Sequence, residues 1–203
     1  MDSILEYATS LVDVPYRWYV EEEDVFTGED KFWCEESPPP SSFEIKKNDK
    51  SIVCSGLINL LRRKSGLSIP GLNGNIKGKY KNLYAKYPGG TGAWFIYLRQ
   101  INKLEKINLN ANYPRGTLLL AKFKNNENNQ GHLAVVYTEV DSSKNINNQL
   151  IIHAAPDVLY SERSKYKNHG CVKLEAFSIS NNEWKNQKKS YYTHICRPEN
   201  WLF

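Results

Sequence analysis

The sequence has no apolar run approaching the ~18 residues that a membrane-spanning helix needs. Its start, Met1-Asp2-Ser3-Ile4-Leu5-Glu6, lacks a basic stretch followed by an apolar one, the pattern of a secretory leader. The expected location is therefore the cytoplasm, a virion interior, or outside the cell by a leader-independent route. No Cys-x-x-Cys pair occurs, and no histidine stands at zinc-finger spacing from a cysteine, so a structural zinc is not expected; no cofactor is expected either. Charge of one sign is also scarce. Twenty-seven Lys and Arg against 22 Asp and Glu leave +5, too small an excess to imply a nucleic-acid partner. There is no internal repeat.

What remains is a chain of 203 residues, 40% hydrophobic and 24% charged, enough for one domain with a full core and too apolar for global disorder. The four cysteines, Cys34, Cys54, Cys171 and Cys196, are expected as reduced thiols, Cys171 and Cys196 in the core and Cys34 exposed. Ser3 to Val12 predicts a helix, with Ser3 and Glu6 as a capping box and Ile4, Leu5, Ala8, Leu11 and Val12 as its apolar face. Residues 21–50 carry an acidic run, three consecutive prolines and few apolar side chains. They predict a surface insertion within a single domain spanning 1–203.

Cys54 opens a second predicted helix, whose Leu57, Ile58, Leu60 and Leu61 form a buried stripe. Arg62, Arg63 and Lys64 sit where a helix favours cations, and Gly66 ends it. Asn73 to Gly92 looks like loop, and Ala93 to Leu104 like a third helix. The second half changes period. Short apolar runs at 118–123, 133–137 and 150–153, and alternating runs at 171–176 and 191–196, predict strands separated by polar loops. Helices first and a meander afterwards make an α+β layout: N-terminal helices packed on a mainly antiparallel sheet of five to six strands.

Cys54 at a helix start, His132 at the start of one predicted strand and His153 at the end of the next are the parts a thiol nucleophile requires. A helix N-terminus and a nearby imidazole bring a thiol pKa from ~8.5 into roughly the 3.5–7.5 range. The imidazole then serves as base and acid, and a polar group on its other nitrogen fixes its orientation. Antiparallel neighbours joined by a short loop allow His132 and His153 to lie side by side. Taken alone, a cysteine before an apolar helix is more often a buried small hydrophobe.

Order and spacing add weight. Val53-Cys54-Ser55-Gly56-Leu57 resembles the Asp-Cys-Ser-Gly-Leu signature of the NlpC/p60 family of papain-like cysteine peptidases. Gly131-His132-Leu133-Ala134-Val135-Val136-Tyr137 resembles its histidine strand, Gly116-Thr117-Leu118-Leu119-Leu120 the strand before, and Ile152-His153-Ala154 the strand after. Val14-Pro15-Tyr16-Arg17-Trp18 is similar to its Pro-Tyr-x-Trp segment. The resemblance implies a papain-like fold and cleavage of an amide bond in peptidoglycan-type stem peptides through a thioacyl-enzyme. It implies Cys54 as nucleophile, His132 as base and acid, and His153 as the orienting residue. Tyr16, Trp18 and Ser55 would line the oxyanion and substrate region, with the Cys54 N–H as an oxyanion donor.

Two departures bear on substrate. Val53 replaces the family's Asp, and Tyr16 precedes Cys54 by 38 residues, a longer separation than the family's. The alternatives are a thiol acyltransferase or phospholipase of the related lipid-processing branch, or a non-catalytic binding module that retains the fold. In the lipid-processing branch the His motif precedes the Cys motif, the reverse of the order here. The expected partner is a peptide or cell-wall-type substrate.

Overall fold

The computed structural model describes residues 1–16, 33–35, 37–122, 131–139, 145–156, 170–177 and 192–203. Among these residues five α-helices precede six strands: α1 (Asp2–Ser10), α2 (Ser42–Lys47), α3 (Cys54–Lys64), α4 (Lys81–Lys86), α5 (Thr91–Gln100), β1 (Glu105–Lys106), β2 (Leu118–Lys122), β3 (Gly131–Val136), β4 (Leu150–Pro156), β5 (Gly170–Ala176) and β6 (His194–Cys196). The strands form one sheet in the order β1-β6-β2-β3-β4-β5, antiparallel at every pairing. This is the expected α+β class with its antiparallel sheet.

β3 shows why the sheet sits where it does. Leu133, Ala134, Val135 and Val136 are all fully buried, because helices cover one face and loops the other. Leu133 and Val135 join the core beneath α1 and α3. Ala134 and Val136 pack with Tyr113, Ile146, Phe177 and Tyr192 on the opposite face. A strand buried on both sides reads as a continuous apolar run, which is what this segment is.

α3 is the central helix, with every residue from Cys54 to Arg63 buried. Its polar members are satisfied inside the protein. Asn59 donates from Nδ2 to the Gly89 carbonyl at 3.1 Å and accepts from the Trp94 indole N–H at 2.8 Å. Gly89 has φ +71, and a Cβ there would strike the Asn59 amide, so only glycine permits this approach. Arg62 donates to the Ser68 and Trp201 carbonyls, both at 2.6 Å, and lies over the rings of Trp94 and Tyr97. Arg63 donates to the carbonyl of Ser37, from Nε at 2.8 Å and from Nη2 at 2.6 Å.

Those Arg63 bonds tie residues 37 and 38 to the central helix. The insertion 21–50 was expected to lie on the surface, yet in its described part Trp33, Cys34 and Ile45 are buried in the main core. Their apolar residues are too far apart to form a pattern, but each is anchored separately. Trp33 lies against Gly56, where a Cβ would come within 3.0 Å of the indole. The Tyr7 hydroxyl donates to the Pro40 carbonyl at 2.8 Å, and Ile45 faces inward from α2.

Three local expectations also change. α1 starts at Asp2 with Met1 as its N-cap and no side-chain cap, so the Ser3–Glu6 box does not form. The box is made instead by Ser41 and Glu44 at the start of α2. Residues 73–92 are not all loop, since they hold α4, and α5 begins at Thr91 rather than Ala93. Cys171 is half-buried, whereas Cys34 and Cys196 are buried.

Candidate active site

The chain reaches α3 in extended form. The Ile52 N–H donates to the Pro15 carbonyl at 2.8 Å, and Val53 caps the helix with φ −87 and ψ 167 and no side-chain acceptor. Cys54 is thereby fixed as the first residue of α3, 5% exposed. Its Sγ lies 4.0 Å from the carbonyl oxygen of Gly131, at the outer limit of a thiol hydrogen bond. The sulfur therefore faces the residue immediately before His132.

Gly131 makes this junction possible. A Cβ there would collide with the Thr91 side chain and with the Ala121 carbonyl. The starts of α3 and α5 and the first residue of β3 thus meet around a position where a side chain has no room.

His132 follows in β3, opposite Ala121 of β2. The β3–β4 register pairs Val135 with Ile152, which carries His153 to the face shared by Ala134 and His132. The β4–β5 register pairs His153 with Lys173, and Glu175 lies two residues on, along the same face. Side chains close the sequence of contacts. His132 Nε2 is 2.8 Å from His153 Nδ1, and His153 Nε2 is 2.8 Å from Glu175 Oε1. The two imidazoles meet edge-on, with centroids 5.0 Å apart and planes at 77°. The His153 side chain is 9% exposed and that of Glu175 is 44% exposed, so the row runs from the interior to solvent. The hydrogen bond from His153 holds the Glu175 carboxyl below its usual pKa; burial opposes this, and the positive charge of Lys173 assists.

Tyr192 walls the site, its ring 5.9 Å from that of His132 and 5.8 Å from that of Phe177. Burial pushes its hydroxyl well above the ordinary 10.0, and the neighbouring Cys54 and Glu175 push the same way. At neutral pH the phenol is uncharged.

His132 and His153 are brought into contact, and the Cys54 sulfur is brought to the carbonyl of Gly131, one residue before His132. Tyr16 is 2% exposed and donates its backbone N–H to the Gly170 carbonyl at 2.8 Å. The neighbouring Pro15–Ile52 bond draws that segment alongside the approach to Cys54. Ser55 is buried in the first turn of α3. Trp18 lies outside the described residues, as does His169. His194 stands apart, its Nδ1 2.8 Å from Thr193 Oγ1 and its ring edge-on to Phe95. Burial, with Lys106 nearby, lowers its pKa.

Glu175 and Tyr192 were not singled out from sequence. The signal for Glu175 was present but incomplete: alternation puts Cys171, Lys173 and Glu175 on one face of a strand, and only the register says which of them meets His153. A cavity of about 340 Å³ lies toward the other end of α3, lined by Glu35, Pro38, Arg63, Ser68, Leu72 and Asn73 among others, away from these groups. Among the described residues no three His, Cys, Asp or Glu side chains converge as metal ligands would. No protein-family model, no curated protein and no solved structure matches the chain.

Proposed function

We propose that the chain is a cysteine hydrolase of papain-like, NlpC/p60-type fold that cleaves an amide bond through a thioacyl-enzyme. The observation that carries this reading is the 2.8 Å contact between His132 and His153, with the Cys54 sulfur facing the carbonyl of Gly131, the residue before His132. A cysteine at a helix N-terminus, an imidazole one residue from its neighbour, and a polar group on that imidazole are the components of thiol-based acyl transfer.

In the proposed reaction the Cys54 thiol gives its proton to His132 and the thiolate attacks the scissile carbonyl. The backbone N–H of Cys54, at the positive end of α3, faces the developing oxyanion. His132 returns the proton to the leaving amine. It then takes a proton from water as that water attacks the thioester, releasing the acid and regenerating the thiol.

The substrate class is peptidoglycan-type stem peptides, with the amine-holding role of the family's Asp not available from Val53. The defining test is digestion of defined stem peptides followed by mass spectrometry, with Cys54→Ala protein as the blank. Cleavage by the native chain and none by the variant is the expected result. Equal product from both would remove Cys54 from the reaction.

A further inference from the structure

We propose that Glu175 is a positioning residue that sets the protonated nitrogen of both histidines, so that His132 keeps its proton on Nε2 and offers Nδ1 to the thiol. The inference rests on the hydrolase reading, and it follows from counting donors along the row. Glu175 Oε1 is 2.8 Å from His153 Nε2, and His153 Nδ1 is 2.8 Å from His132 Nε2. An ionised carboxylate only accepts, and a neutral imidazole has one donor and one acceptor. With both rings neutral, His153 carries its proton on Nε2, which leaves Nδ1 as the acceptor. His132 must in turn donate from Nε2, which leaves the lone pair on Nδ1. The direction of the whole row is dictated from its solvent end.

Without the carboxylate, His153 alone imposes no direction. With its proton on Nδ1 it would donate into His132 Nε2, and the His132 proton would move to Nδ1, where the ring can no longer accept from a thiol. In the Ser-His-Asp triad, loss of the equivalent anion costs ~10⁴-fold in kcat through this tautomer error. Glu175 acts through one more ring, and His153 is nearly shielded from solvent, so water does not substitute at its inner nitrogen.

The proton step balances. The Cys54 S–H bond breaks, sulfur keeps the electron pair, and the proton bonds to His132 Nδ1. The imidazolium so formed still donates from Nε2 to His153, whose Nε2–H faces the negative Glu175. When Nδ1 hands its proton to the leaving amine, His132 returns to the neutral Nε2–H form.

The test uses the full chain with ¹⁵N-labelled histidine, in which long-range ¹H–¹⁵N spectra distinguish protonated from unprotonated ring nitrogens, together with iodoacetamide alkylation of Cys54. Native protein should show both His132 and His153 protonated at Nε2. Glu175→Gln and Glu175→Ala should move His132 partly or wholly to the Nδ1–H form and slow Cys54 alkylation about 10–100-fold, a smaller loss than in the triad because the anion is one ring further away. Formate added to Glu175→Ala should restore the rate toward the native value. Native His132 protonated at Nδ1 would overturn the proposal even if no variant folds, as would unchanged tautomers and alkylation in the variants. Failure of the hydrolase reading has a different signature: native Cys54 would cleave nothing, whatever the spectra report.

Discussion

The Trp94 indole donates to Asn59 Oδ1 at 2.8 Å, joining α5 to α3 a little over one turn beyond Cys54. The same amide donates to Gly89 at the turn that leads into α5. Asn59→Leu would leave a buried indole N–H and a buried carbonyl unpaired, at ~1–3 kcal/mol each. The expected loss is about 3 kcal/mol, measured as a lower urea midpoint. Alkylation of Cys54 should fall as well, because α5 meets β3 at Gly131.

The thiols differ in surroundings, and their reactivity should follow. Cys54 stands at a helix start with its sulfur facing the carbonyl of Gly131, the residue before His132, whereas burial pushes the Cys196 thiol up to about 12. At neutral pH Cys54 should alkylate much faster than Cys196, and His132→Ala should slow it. Half-buried Cys171 should fall between them. Equal rates for all three in the folded protein would show that Cys54 is not activated.

Trp33 is 2% exposed and rests on Gly56, in the first turn after Cys54. Replacing it with Ala should cost ~3–5 kcal/mol, the usual loss for a large core aromatic. A Gly/Ser linker in place of residues 22–47 should therefore unfold the protein at moderate denaturant, because it deletes both Trp33 and Ile45. A shortened chain with a native midpoint would contradict their place in the core.

Alkaline pH should destabilise the fold. Burial raises Cys196 from 9.0 to about 12 and Tyr7 from 10.0 to about 12, and raises Tyr192 as well. The folded protein thus holds protons that the unfolded chain releases. Their stabilising effect is complete below pH 9 and is lost as pH rises toward 12. Urea midpoints should decline from about pH 9 upward, and Cys196→Ala should flatten the first part of that decline. A native midpoint that stays level from pH 9 to 11 would contradict these burials.

The residues most legible in the sequence were those with a period. Leu57, Ile58, Leu60 and Leu61 announce α3, and the runs at 118, 133 and 150 announce three strands of the sheet. Cys54, His132 and His153 were legible through their place at the ends of those elements. Glu175 was not, because alternation gives the face and pairing gives the neighbour, and only the first is written in one strand. Trp33 and Ile45 were hidden for another reason: each fills its own gap in a core built by distant segments, with charge and proline between them. The Ser41–Glu44 box followed the three prolines in plain view, but the local pattern favoured Ser3–Glu6 equally well.

The strand order has a consequence for how the molecule comes together. β2, β3, β4 and β5 are neighbours in both sequence and space, so this part of the sheet assembles through successive antiparallel pairings. β6 does not follow that order: it inserts between β1 and β2, pairing Leu118 with Cys196 and Glu105 with Ile195. Until residues 194–196 arrive, the outer edge of β2 carries unpaired backbone donors and acceptors along Leu118-Leu119-Leu120, a template for the same strand of another copy. The contact that closes the sheet spans more than 70 residues, which makes it the slow pairing. Refolding yield should therefore fall with protein concentration, since a second molecule competes for that edge during the interval in which only β6 can protect it.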